Sequence, residues 1–202
     1  MRDRHSFGEE DCASRRYGQC RWQHRTNTCR TANGFDINAD KGVNPQTKDG
    51  RGNICPVTII LPTLAMEAKE KDGNVVDEFM KILDSAIIDA KDQLIERFDW
   101  ICKQSPDSAK FMYENGIMLG YKPEEGIKSA LKHGTLAIGQ LGIAETLQIL
   151  IGCDQTEPQG LELARQIEAL FQKRCKEFKN EYKLNFGVYF SPEHSVGALT
   201  AM

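Results

Sequence analysis

The sequence predicts an α/β fold with few strands and several long helices. Short apolar, β-branched runs alternate with helical patterns along the chain. Two of those patterns, over 74–102 and 158–182, hold apolar residues at 3- and 4-residue spacing. The composition is that of a globular chain, with 40% hydrophobic and 27% charged residues and a net charge of −3. It excludes collagen-like and wholly disordered chains. The small negative charge excludes a chain-wide nucleic-acid binder. No apolar run approaches the ~20 residues that span a bilayer, so no membrane segment is expected. The opening MRDRHSFGEEDC has no apolar core and does not read as a signal peptide.

The chain is uneven. Residues 1–53 contain only Met1, Ile37 and Val43 as large aliphatics, and carry ten Lys/Arg against seven Asp/Glu. Residues 54–202 hold the rest, 16 Lys/Arg against 22 Asp/Glu, and nearly all the aliphatic mass. The polar first quarter cannot bury a core of its own. A loop of that length in a compact domain is expected to be functional or to pack on segments outside this chain. Two stretches follow, a polar one over 1–53 and a strand-and-helix one over 54–202.

The elements follow in order. ICPVTIIL (54–61) reads as a buried strand with Pro56 confined to its beginning, and Pro62 ends it. Asn74 is placed to cap a helix over 74–102, with Asp77 and Glu78 at its positive end. Its stripe is Val76, Phe79, Leu83, Ala86, Ala90, Leu94, Phe98 and Ile101. A short helix fits 106–115, and another starts at Pro123 and reaches Lys132 or His133. GTLAIGQLG (134–142) reads as a strand or tight loop where backbones approach closely. AETLQILIG is a short helix stopped at Gly152. Pro158 opens the second long helix, striped by Leu161, Ala164, Ile167, Phe171, Cys175, Phe178 and Tyr182. NFGVYF (185–190) is a strand that Ser191-Pro192 breaks. Two or three strands do not close a barrel or make a stable sheet alone.

Sequence motifs narrow the chemistry. The chain contains no GxxxxGK[ST], GxGxxG, HExxH or GxSxG. Seven cysteines, with no N-x-[ST] acceptor and no leader, suit a reducing cytoplasm. Cys12, Cys20, His24 and Cys29 could be drawn as a zinc site. Their gaps of seven and eight residues are not the close C-x₂₋₄-C pairs of structural zinc, so no metal is assigned. Cys55, Cys102, Cys153 and Cys175 read as core or small buried thiols, and His133 as a helix-end or buried polar residue. Two peptides are more specific. In NTCRTANGFD (27–36), Cys29 sits on a polar Gly/Asn loop beside Arg30, a cation that lowers thiol pKa. In GRGNICPVTIILPTLAMEA (50–68), Asn53 stands at the mouth of the strand, where an amide can hold a small polar or anionic ligand.

Taken together, Cys-Arg-Thr followed by Arg-Gly-Asn and an apolar TIxLPxLAxEA strand resembles the anaerobic (class III) ribonucleotide reductases. LKHGTLAIGQLGIAETL (131–147) is similar to that family's His-Gly-Thr-Leu stretch. NFGVYFSPEHS (185–195) resembles its strand followed by a Thr-Pro-Ala-Glu-Ser loop. The resemblance implies part of a ten-stranded α/β barrel of the glycyl-radical type, with a finger loop carrying a catalytic Cys into its centre. By motif position it implies Cys29 as the thiyl-forming cysteine and Asn53 as the active-site amide of the formate-using branch. It also implies a substrate-phosphate contact at Ser191, Glu193, His194 and Ser195. Here the motif departs from the family's, since Ser191 replaces its Thr and His194 takes its Glu position.

The resemblance further implies several partners. These are a ribonucleoside triphosphate substrate, a glycyl radical on a segment absent here, an iron–sulfur/S-adenosylmethionine activase that generates it, and formate as reductant. The family's ATP cone, its second active-site Cys segment and its four-Cys zinc site are absent from this sequence. The chain is therefore expected to be a fragment, inactive alone, that works with the remaining reductase or as a homodimer. The competing reading is a non-catalytic piece that completes a barrel with a partner chain. A formate-lyase relative would carry adjacent cysteines on the finger loop, and NTCRT has one.

Overall fold

The structure, a computed structural model, describes residues 33–190. Cys29 and the 191–195 loop lie outside the described residues. Three strands form one parallel sheet in chain order: β1 (Asn53–Ile60), β2 (Thr135–Leu141) and β3 (Asn185–Phe190). Between β1 and β2 run α1 (Leu61–Lys69), α2 (Val75–Cys102), a 3₁₀ turn (Pro106–Ala109), α3 (Lys110–Glu114) and α4 (Lys128–Leu131). Between β2 and β3 run α5 (Ile143–Ile151) and α6 (Pro158–Tyr182). Parallel neighbours need such crossovers, because a tight turn can only reverse the chain. The α/β class is therefore as the alternation predicts. Among the described residues no helix is long and apolar enough to cross a membrane.

The two long helices form where their spacing places them. Asn74 caps α2, its side-chain oxygen accepting from the Val76 N–H at 3.0 Å and the Asp77 N–H at 3.4 Å. α2 buries Phe79, Leu83, Ile87, Ala90, Leu94 and Phe98, with Ile87 replacing the predicted Ala86 in the centre of the stripe. Lys91 is also buried, its ammonium 5.8 Å from the Phe178 ring centroid and 5.3 Å from that of Tyr182 while it bonds Asp92. α6 buries Leu163, Ala164, Ile167, Phe171, Cys175 and Phe178, with Leu163 in place of Leu161. Burial pushes the Cys175 thiol up to about 12, which makes it inert at neutral pH. A fork from Arg174 to Asp84 ties α6 to α2, with its Nε–H 2.6 Å from Oδ1.

Three local readings change. Leu61, read as the end of the strand, and residues 62–69, assigned no element from the sequence, form α1. Pro62 ends β1 and also opens this helix in its first turn, where a missing N–H costs nothing. The helix predicted from Pro123 shrinks to α4, because Lys122 bridges to Gly126 in a tight turn with Gly126 at φ +71°. Pro56 lies inside β1 rather than at its start. There the register slips between Ile54 and Val57, a β-bulge with Cys55 in the left-handed region at φ +47°.

That bulge sorts the sheet into two faces. Ile54, Ile59, Leu136, Ile138 and Phe186 share one buried core with the α2 and α6 stripes. The other face carries, in register, Asn53–Thr135–Asn185, then Ala137–Gly187, then Thr58–Gly139–Tyr189. Without the extra residue, Asn53 and Thr58, five apart, would point to opposite faces.

Candidate functional site

The row Asn53–Thr135–Asn185 marks the beginnings of the three strands, and the segment from Asn33 to Gly52 straps across them. The strap is held by side chains. Asn33, 2% exposed, accepts from the Thr135 hydroxyl at 2.9 Å and donates to the Arg51 carbonyl at 2.9 Å. Asn185 donates to Asp36 at 2.8 Å and accepts from the Ile37 N–H at 3.0 Å. Asn38 donates to the carbonyls of Lys132 and Lys183, both at 3.0 Å. Short polar side chains that bond local backbone are what an irregular, buried strap needs, since every buried N–H and C=O must find a partner.

At the centre of this clasp lies a buried charged group. Asp36 and His133 meet at 2.8 Å, Asp36 Oδ2 to His133 Nδ1. The Arg51 guanidinium donates to the carbonyls of His133 at 2.6 Å, Gly34 at 2.9 Å and Thr47 at 2.9 Å. Its Nε lies 3.9 Å from Asp36. Burial pushes the Asp36 carboxyl up. Hydrogen bonds from Asn185, the Asn38 N–H and His133, with the Arg51 charge, outweigh that and hold it below the ordinary carboxylate range. Burial lowers the Arg51 value, against the pull of Asp36. Gly120, at φ +73°, backs directly onto the His133 ring, and a Cβ there would overlap Nε2. His133 is thus a buried polar residue following α4, as read from the sequence.

Of the residues predicted as a site, Asn53 alone is described. It is the first residue of β1, half-buried, on the polar face. Cys29, Ser191, Glu193, His194 and Ser195 lie outside the described residues, as do Cys12, Cys20 and His24. Among the described residues, no group of three or more His, Cys, Asp or Glu gathers as metal ligands would. Sequence reasoning missed Asn33, Asp36, Arg51, Thr135 and Asn185 as one cluster. All five fall inside or beside the peptides already singled out, 27–36, 50–68, 131–147 and 185–195. Their convergence was the signal that spacing alone does not carry.

The chain also matches known proteins. The family model for anaerobic ribonucleoside-triphosphate reductase matches residues 9–201. The anaerobic ribonucleoside-triphosphate reductase of Salmonella typhimurium is 24% identical over 160 residues, covering 75% of this chain and 21% of that protein. That of Escherichia coli is 23% identical over 160 residues, with the same two shares, 75% and 21%. A solved anaerobic ribonucleotide reductase superposes with a TM-score of 0.54 at 19% identity, over 69% of this chain and 21% of that one. The Thermotoga maritima enzyme, solved with dATP in its specificity site, gives 0.54 at 20% identity, over 68% and 22%. The chain therefore spans about a fifth of the length of the relatives it matches. With a family match over nearly its whole length, the chain belongs to the anaerobic ribonucleoside-triphosphate reductase family.

Proposed function

We propose that this chain supplies part of the catalytic barrel of a cytoplasmic reductase that converts ribonucleoside triphosphates to deoxyribonucleotides. Among the described residues β1 and β3 each pair on one side only, which leaves edges where further strands of a ten-stranded barrel would add. The polar face would line its interior.

The observation that carries this reading is the strap. Its first described residue, Asn33, is bonded onto the row that begins with Asn53. Cys29 lies four residues earlier, a reach of at most ~14 Å. A finger loop so anchored would deliver the thiol to the face where the amide stands. There a thiyl on Cys29 would take the hydrogen atom from carbon 3′ of the ribose, and the 2′ hydroxyl would leave as water with an added proton. Carbon 2′ would gain two electrons and a proton as formate becomes carbon dioxide, and the hydrogen atom would return to carbon 3′. A glycyl radical from another segment, generated by a radical-S-adenosylmethionine activase, would supply the one-electron oxidant, and formate the reductant.

The residues present fit such chemistry. No strand residue is charged, so the face offers a small carboxylate a neutral donor in the Asn53 amide. Asn53 holds and orients that carboxylate or the ribose. Ser191, Glu193, His194 and Ser195 take the phosphates.

The test is anaerobic nucleotide reduction by this chain co-produced with the segments that complete its barrel. Cys29→Ser is expected at background, and Asn53→Ala at least ~100-fold below wild type. A Cys29→Ser assembly that still makes deoxynucleotides would overturn the reading.

A further inference from the structure

We propose that Tyr189 and Thr58 form a hydroxyl pair that contacts the ribose–phosphate part of the nucleotide. This rests on the reading above and adds a substrate-contacting residue to it. Three observations on the polar face carry it.

First, the β1 bulge turns Thr58 onto the same face as Asn53, and Thr58 is solvent-exposed. Second, the Tyr189 ring lies over Gly139 of β2, where any Cβ would overlap it. Its hydroxyl thereby crosses the middle strand and meets the Thr58 hydroxyl. Third, the row between this pair and Asn53–Thr135–Asn185 holds only Ala137 and Gly187 in register. Ala137 is itself buried, and these small residues keep β2 and β3 free of bulky side chains between the two polar rows. The rows lie four β2 residues apart, ~13 Å, a span of nucleotide rather than ion dimensions.

The chemistry suits an oxygen-rich ligand. Two hydroxyls sharing one hydrogen bond keep one O–H and several lone pairs for a further partner. A sugar hydroxyl both donates and accepts, and a phosphate oxygen accepts, so either completes the pair. A brace between strands would need only the ring, which Phe supplies equally. The glycine under the ring and the open hydroxyl beside it are what a contact residue requires.

The experiment uses the reductase assembled from this chain and its complementary segments, with CTP and ATP tested separately. Tyr189→Phe is expected to raise KM about fivefold to tenfold and leave kcat within about twofold, the loss of one hydrogen bond to bound substrate. Thr58→Val, which removes the phenol's partner, is expected to shift KM in the same direction. Unchanged KM in both variants, with a lowered melting temperature, would show a strand brace and overturn the inference while sparing the reductase reading. A wild-type assembly that neither binds nor reduces nucleotide would overturn both.

Discussion

The two faces of the sheet are built by opposite rules. One face packs Ile54, Ile59, Leu136, Ile138 and Phe186 against α2 and α6, and contributes through apolar area removed from water. The other carries amides, hydroxyls, Ala137 and glycines, and is held by directed hydrogen bonds to a strap with almost no aliphatic mass. The first tolerates imprecise side-chain chemistry so long as volume is kept. The second tolerates almost none, because its buried amides, hydroxyl and carboxylate depend on directed bonds to particular partners. The lesson is a division of labour, with apolar packing concentrated on one side of three strands and directed polar contacts, where we propose the chemistry, on the other.

Breaking the apolar side is expected to have the largest effect. Phe171→Ala removes a fully buried ring from α6 and is expected to cost about 3–5 kcal/mol in urea unfolding. Next comes the clasp. Asp36→Asn leaves Arg51 and His133 buried beside a neutral amide, and is expected to cost about 3 kcal/mol. This variant also has a pH signature. The Asp36 carboxyl is held below its ordinary value of 3.8, so the stability it contributes is present above that pH. That contribution is lost as pH falls through the lower folded value. Wild type should therefore lose stability below about pH 4, and Asp36→Asn should lose less over the same acid titration. An equal acid slope would mean that the clasp is not charge-dependent.

Two smaller effects sharpen the contrast. Asn74→Ala removes the α2 cap and is expected to cost about 1 kcal/mol by thermal melting. Asp84→Asn opens the fork to Arg174 at the partly exposed α2–α6 seam. Its cost should stay under about 1 kcal/mol and shrink further in high salt. If Asp84→Asn costs as much as Asp36→Asn, burial does not separate the two ion pairs.

The sequence made the apolar face legible and hid the polar one. α2 and α6 were readable because a 3- and 4-residue stripe survives any tertiary context, and because Asn74 and Pro158 mark their starts. β2 was readable as apolar and glycine-punctuated. Pro56 was misplaced because an in-strand proline signals either an edge or a bulge, and only the register with Ala137 and Ile138 decides which. α1 was missed because a proline after a strand was read solely as a stop. The helix from Pro123 was overextended because Gly126 looks like an ordinary helix residue until its positive φ is known. The clasp could not be read as a cluster, although His133 was read as a buried polar residue. Asp36, Arg51, His133 and Asn185 are separated by up to 149 positions, and nothing in their local sequence distinguishes buried charges from solvated ones.

The central claim is that the strap carries Cys29 onto the polar face, and crosslinking tests it most directly. The full chain would be treated with a short bismaleimide in two variants. Thr58→Cys places a thiol on the polar face, and Ser85→Cys places one on an exposed position of α2, on the helical side. Site-resolved mass spectrometry of the linked peptides reads the outcome. The account predicts linkage of Cys29 to position 58 and none to position 85. Linkage of Cys29 to position 85, with position 58 unlinked, would contradict it.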